Sequence, residues 1–219
     1  MKLIYLDNAA TTKPDEEVLK EAVRVCEEQY FNPSALYREG MAVKKILSEC
    51  EDDLLSVYKG RGVIFTSCGT ESDNTAIFSF AKHGNAVTTL GEHSAVYKTY
   101  ETLKQKGVDV RFASLDYGGC VNEKDLLDKV DEKTALVSVT HVNNETGAIN
   151  DVARLAKLVK AKAPRCVFMS DGVQGFCKIP GKLGDDVDVY TFSAHKIKAL
   201  KGVGGIIYNK KLHIAPYVI

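Results

Sequence analysis

From about residue 60 onward the chain alternates two kinds of segment. Short runs of β-branched and aromatic residues are followed by stretches whose apolar positions recur every three to four residues, the pattern of strands feeding helices. Seven runs predict strands, over residues 63–67, 86–90, 108–114, 135–142, 166–171, 187–193 and 204–208. Between them, residues 70–82, 95–105, 123–129 and 152–162 predict helices, with Pro164 as a stop after the last. Several strand runs are apolar almost without interruption, as required where helices cover both faces of a mostly parallel sheet. About ten residues separate Ser193 from Gly204, too few for a helical crossover, so the seventh strand is expected to run antiparallel to its neighbour. Ahead of the sheet, residues 15–28 and 42–58 predict two amphipathic helices, broken at Asn32-Pro33-Ser34. The first dozen residues read as an arm belonging to neither layer. The expected fold is α/β, a three-layer α/β/α sandwich around a mostly parallel seven-stranded sheet.

Composition narrows the function. With 219 residues, 45% hydrophobic and 26% charged, the chain can bury a real core. Twenty-nine Lys and Arg balance twenty-nine Asp and Glu, which removes the electrostatic footprint of a general nucleic-acid binder. No segment approaches the roughly 18 apolar residues of a membrane span. The apolar stretch near the start, Leu3-Ile4-Tyr5-Leu6, is too short for a secretion signal, so a cytoplasmic location without a membrane partner is expected. The six cysteines form no CxxC pair, which argues against a metal site or a disulfide framework and predicts mostly buried thiols.

In an open α/β sheet, ligands bind beyond the carboxyl ends of the strands, so the residues after each strand matter most. After the first strand, Ser67-Cys68-Gly69-Thr70-Glu71-Ser72 enters a helix, either as a phosphate seat or as an ordinary cap. After the second comes Gly91-Glu92-His93-Ser94, and after the fourth His141-Val142-Asn143-Asn144-Glu145-Thr146-Gly147. A histidine or an Asn pair in such places also serves as a plain structural or turn residue. The fifth strand ends on Asp171, followed by Gln174; a carboxylate there needs a donor or a cation, or else caps the next segment. The sixth ends at Ser193-Ala194-His195-Lys196, and a lysine with a lowered pKa is a candidate nucleophile for a carbonyl, although most lysines are surface charges. Together these residues supply what pyridoxal 5′-phosphate needs: amides and hydroxyls for its phosphate, a carboxylate for its ring nitrogen, a flat face for its ring and an amine for its aldehyde.

With those residues in view, the sequence resembles the NifS-type cysteine desulfurases, class V members of the fold-type I pyridoxal phosphate enzymes. The resemblance is carried by Tyr5-Leu6-Asp7-Asn8-Ala9-Ala10-Thr11-Thr12, Asn32-Pro33-Ser34, residues 66–74, Glu92-His93, residues 141–147, Asp171 with Gln174, and residues 193–196. It implies that Lys196 links the cofactor's aldehyde and later moves the substrate Cα proton, and that Asp171 pairs with the ring nitrogen. Gln174 would bond the ring oxygen, and His93 would stack on the ring and assist proton transfer. Thr70, Ser193 and His195 would hold the phosphate beside the Gly69 backbone, with Asn144 near the ring oxygen and the substrate carboxylate. The implied reaction turns L-cysteine into L-alanine and passes the sulfur to an enzyme cysteine as a persulfide. An iron–sulfur scaffold or another sulfur-acceptor protein would receive it, and the enzyme would be a homodimer.

The resemblance also implies a departure. Family members are about twice as long, and their sulfur-accepting cysteine and carboxylate-binding arginine lie in the second half. None of the six cysteines here matches that nucleophile; Cys68 is the nearest to the chemistry, as a packing substitution or as a reactive thiol. The expected division is an arm over residues 1–14, part of the smaller domain in longer relatives, and a large cofactor-binding domain over residues 15–219. Little turnover is expected of this chain alone. Selenocysteine lyase or another class V aminotransferase is an alternative reading, as is a non-catalytic scaffold or one half of a split enzyme.

Overall fold

Strands that are apolar on both sides are stable only between two helical layers, and the computed structural model, which describes residues 3–217, has that arrangement. The strands are β1 (Arg61–Thr66), β2 (Asn85–Thr89), β3 (Val110–Ala113), β4 (Thr134–Ser138), β5 (Val167–Asp171), β6 (Val189–Ser193) and β7 (Gly204–Asn209). The helices are α1 (Glu16–Glu28), α2 (Arg38–Val57), α3 (Gly69–Phe80), α4 (Ser94–Gln105), α5 (Glu123–Lys129) and α6 (Val152–Lys162). Sheet order is β1-β7-β6-β5-β4-β2-β3, with β7 antiparallel to both neighbours and the other pairs parallel.

Side-chain alternation divides the core. Val167, Met169, Val189 and Ile206 face α3 and α4, where Ala76, Ile77, Val96 and Tyr100 complete the layer. Val137 and Phe168 face α6 through Leu155, Ala156 and Val159, while Tyr190, Phe192 and Ile207 meet Phe176 and, from α2, Leu54. By the same alternation Asp171 shares the α3 side of β5 with Met169. Helix α1 differs from the others in having no buried residue, and Val18, Leu19 and Val23 remain exposed.

Several boundaries differ from the sequence reading. The run 135–142 is regular strand only to Ser138: beyond it the Val139 and His141 amides still donate to the Met169 and Asp171 carbonyls of β5, but on the other side the Thr140 amide donates to the Glu92 carboxylate. The run 108–114 narrows to Val110–Ala113, and 187–193 begins at Val189. Helix α2 starts at Arg38 rather than at residue 42, behind Tyr37, which provides no side-chain cap. Only Cys166 of the six cysteines is buried; Cys26, Cys50 and Cys177 are exposed, so the expectation of mostly buried thiols was wrong. Within the described part of the arm, residues 3–14 form neither helix nor strand. No described helix is long and apolar enough to cross a membrane.

Candidate active site

The chain runs outward from β2 to β3 and then crosses back to β4 on the other side of β2, so the carboxyl ends of β2 and β4 frame a switch point. A cavity of about 220 Å3 opens there and extends past the ends of β5, β6 and the start of α3. Gly69, Thr70, His93, Asn144, Asp171, Gln174, Ser193, His195 and Lys196 all line it, so all nine residues singled out in the sequence meet at one place. Another cavity of about 300 Å3, between Tyr58, His141, Tyr190 and residues 179–183, holds none of them.

Each position has a local cause. Cys68 stands at the N-cap of α3 without a side-chain cap bond, and Glu71 reaches back to the Ser67 amide (2.7 Å) and hydroxyl (2.5 Å). The first-turn amides of α3 are thus left without a side-chain acceptor at the helix's positive end. A Cβ on Gly69 would stand 2.9 Å from Val173 Cγ2 and 3.3 Å from Ser193 Cβ, so only glycine lets this turn approach both loops. His93 caps α4, its Nδ1 accepting from the Ala95 amide at 3.2 Å, which leaves the proton of the neutral ring on Nε2. Asn143 is the turn former: its Oδ1 accepts from the Glu145 and Thr146 amides and its Nδ2 donates to the Gly91 carbonyl, leaving Asn144 on the cavity wall.

Asp171 is 4% exposed, and its Oδ1 accepts from the Val173 amide at 2.9 Å. Its other oxygen has no donor among the described residues. Burial pushes its carboxyl above the usual range, opposed by that amide and by the nearby His93 and Lys196. Lys196 follows β6 in a short 3-10 turn (Ala194–Lys196), and burial draws its amine below the ordinary lysine value against the pull of Asp171 and Asp7. Burial likewise lowers His195, helped by Lys196, Lys201 and Lys178.

Two buried acids were given no role in the sequence reading. Asp73 lines the cavity floor one helical turn beyond Gly69, a spacing that predicts a shared face, and accepts from Thr191 Oγ1 at 2.7 Å. Burial and the adjacent Asp171 push it well upward. Glu92, 9% exposed, accepts through Oε1 from Thr89 Oγ1 (2.7 Å) and the Thr140 amide (3.0 Å), tying the loop that carries His93 to the loop that carries Asn144. Its Oε2 has no partner.

Burial pushes the Glu92 carboxyl up from 4.5 to about 8. An acid that binds its proton more tightly folded than unfolded stabilises the fold fully below the unfolded value and loses that contribution as pH rises through the folded one. Stability is therefore expected to fall between about pH 5 and pH 8, by about 1 kcal/mol or more from this group. Asp73 and Asp171 act in the same direction. Glu92→Gln keeps the acceptor and should flatten the decline in urea midpoints; equal slopes in the two proteins would exonerate Glu92.

Residues 4–215 match the family model described as aminotransferase class-V. The chain belongs to the aminotransferase class-V family. Its relatives include the cysteine desulfurase NifS of Azotobacter vinelandii, 33% identical over 222 residues, covering 97% of this chain and 54% of that protein. The cysteine desulfurase IscS of Buchnera aphidicola is 35% identical over 219 residues, 95% of this chain and 54% of its own. Among solved structures, a NifS-like protein superposes with a TM-score of 0.91 at 35% identity, covering 98% of this chain and 61% of that one. DndA from Streptomyces lividans gives 0.81 at 31% identity, covering 97% of this chain and 62% of that one. This class-V chain spans little more than half the length of the curated relatives it matches.

Proposed function

We propose that the cavity of this class-V chain takes pyridoxal 5′-phosphate and that the chain is the cofactor-binding part of a cysteine desulfurase. The observation that carries the reading is the meeting of the Lys196 amine and the strand-end carboxylate of Asp171 in a cavity entered by an uncapped helix N-terminus. The donor set fits the cofactor. Asp171 lines the cavity with one carboxylate oxygen that receives no hydrogen bond from the described residues, and such an oxygen suits an N–H such as a protonated ring nitrogen. Amides at a helix start, with Thr70, Ser193 and His195 nearby, suit a phosphate.

In this reading Asp171 would hold the ring nitrogen, Gln174 the ring oxygen with Asn144 near it and the substrate carboxylate, and His93 would stack on the ring. When bound, the cofactor supplies an electron sink for the substrate Cα. Lys196, its amine drawn below the ordinary lysine value by burial, would hold the cofactor by its aldehyde and would take and return the proton at that carbon. His93 Nε2 is the further proton carrier. The substrate is L-cysteine and the product L-alanine, the sulfur passing to a cysteine as a persulfide and on to an acceptor such as an iron–sulfur scaffold. The working unit is a cytoplasmic homodimer. Residues 1–14 act as an arm and residues 15–219 as the cofactor domain.

The test is direct. The chain is mixed with pyridoxal phosphate, reduced with borohydride, and its peptides mapped by mass. The phosphopyridoxyl group is expected on residue 196, and labelling confined to other lysines would sink the assignment. Alanine and sulfide release from L-cysteine then tests the reaction.

A further inference from the structure

The turn that carries Lys196 makes few bonds of its own. Within it, Ile197 and Ala199 donate to the Ala194 carbonyl, and Ala194 donates to Val203. The remaining restraint comes from the first residues of the chain. The Thr12 amide donates to the His195 carbonyl at 2.9 Å and its hydroxyl donates to the same carbonyl at 2.8 Å. That hydroxyl also accepts from the Lys198 amide at 2.7 Å. One side chain therefore grips the backbone on both sides of Lys196. The Asp15 amide adds a bond to the Lys198 carbonyl at 2.8 Å.

Lys198 shows why such a grip is needed. Its φ of 63° lies in the left-handed region, which a lysine keeps only where its surroundings enforce it. The amine is restrained from the same direction: Lys196 Nζ donates to the Ala9 carbonyl at 2.5 Å and to the Ala10 carbonyl at 2.7 Å. Ala9 also accepts from Gln174 Nε2 at 2.7 Å, and Thr11 Oγ1 pairs with His195 Nδ1 at 2.9 Å.

We propose that Thr12 is a positioning residue for Lys196, clamping the 195–198 turn so that the arm's two alanine carbonyls meet the amine. Its importance for catalysis rests on the reading of Lys196 as the cofactor-linking amine; the clamp itself rests only on the contacts above. Loss of the hydroxyl releases the Lys198 amide and lets the strained turn relax, moving the amine off its carbonyl acceptors.

The experiment reads the turn without cofactor. In Thr12→Val, hydrogen exchange of the peptide covering Lys198 should quicken about tenfold, the size expected for one or two lost hydrogen bonds. Acetic anhydride labelling of Lys196, relative to the exposed Lys44, should rise severalfold. Thr12→Ser should restore both, and unchanged protection in β5 and β6 reports an intact fold. Lys198→Gly takes the left-handed backbone without strain, so Thr12→Val should matter less in that background. Unchanged exchange and labelling in Thr12→Val, with the fold intact, would overturn the proposal. Pyridoxal phosphate trapping follows on the same proteins. A wild-type chain that takes no label at residue 196, in the presence of a clear exchange effect, supports the clamp and defeats the reading of the site. A wild-type chain that takes the label while Thr12→Val changes neither exchange nor labelling defeats the clamp alone.

Discussion

Replacing Lys196 by alanine is expected to abolish covalent retention of pyridoxal phosphate, with borohydride-trapped label and absorbance near about 420 nm both falling to background. The expectation follows from what faces the cavity: Lys196 is the one lysine among the described residues that line it. The nearest competitor, Lys178, lies outside that lining and donates to Gln174 Oε1 at 2.9 Å. Removing the Lys196 cation also takes away one of the groups that hold Asp171 down, so its carboxyl should rise further and pair less well with a protonated ring nitrogen. Lys196→Arg separates the two effects, since it returns a cation without an amine able to link an aldehyde. Spectra and peptide maps of the wild type and both variants decide the matter; a band that survives in the alanine protein would refute the role given to this lysine.

The largest change in stability is expected far from the cavity, at Lys160. Its Nζ donates to the carboxylate of Asp188 and, at 2.5 Å, to the Cys166 carbonyl, anchoring α6 across the amino ends of β5 and β6. Asp188 is 5% exposed and also accepts from the Phe168 amide at 2.9 Å. Lys160→Met leaves this carboxylate buried without its cation, which costs about 3–5 kcal/mol in comparable sites. Adding Asp188→Asn removes the stranded charge while keeping an acceptor for Phe168, so the double variant should recover part of the loss. Urea denaturation of the four proteins gives the coupling, and additive losses would show that the pair does not act as one unit. Pyridoxal phosphate uptake by the folded Lys160→Met chain should match the wild type, because this end of the sheet lies opposite the cavity.

How much of this was legible in sequence depended on how locally each feature is specified. Helices α5 and α6 match their expected bounds because Asn122 and Asp151 cap them, accepting from the Asp125 and Arg154 amides at 3.0 Å each. Helix α2 had no such marker, and its start was misplaced. The run 135–142 overshot because β-branched residues continue past the point where the β2 side of the ladder ends; the acid that takes over there, Glu92, is 48 positions from the amide it receives. The antiparallel β7 was readable from chain length alone. The nine cavity residues were readable because each closes a strand or stands in the loop or helix start just beyond one, whereas Asp73 lies a turn inside a helix and Thr12 in an arm without helix or strand. The contact of Thr12 with the Lys196 turn spans 183 positions, and no local pattern encodes such a distance.

The placing of β1 carries a consequence for how the molecule is made. Among the described strands it is the first synthesised, yet it pairs only with β7, the seventh in chain order. While the nascent chain lengthens, β1 has no edge to join until β7 has cleared the ribosome, and the α3 that follows it is held meanwhile through α4 and β6. Pairings between such distant partners form slowly and leave a sticky intermediate in the meantime. A ribosome halted just before β7 would thus hold a chain in which every residue lining the cavity has been made, while the strand leading into α3 still lacks its partner.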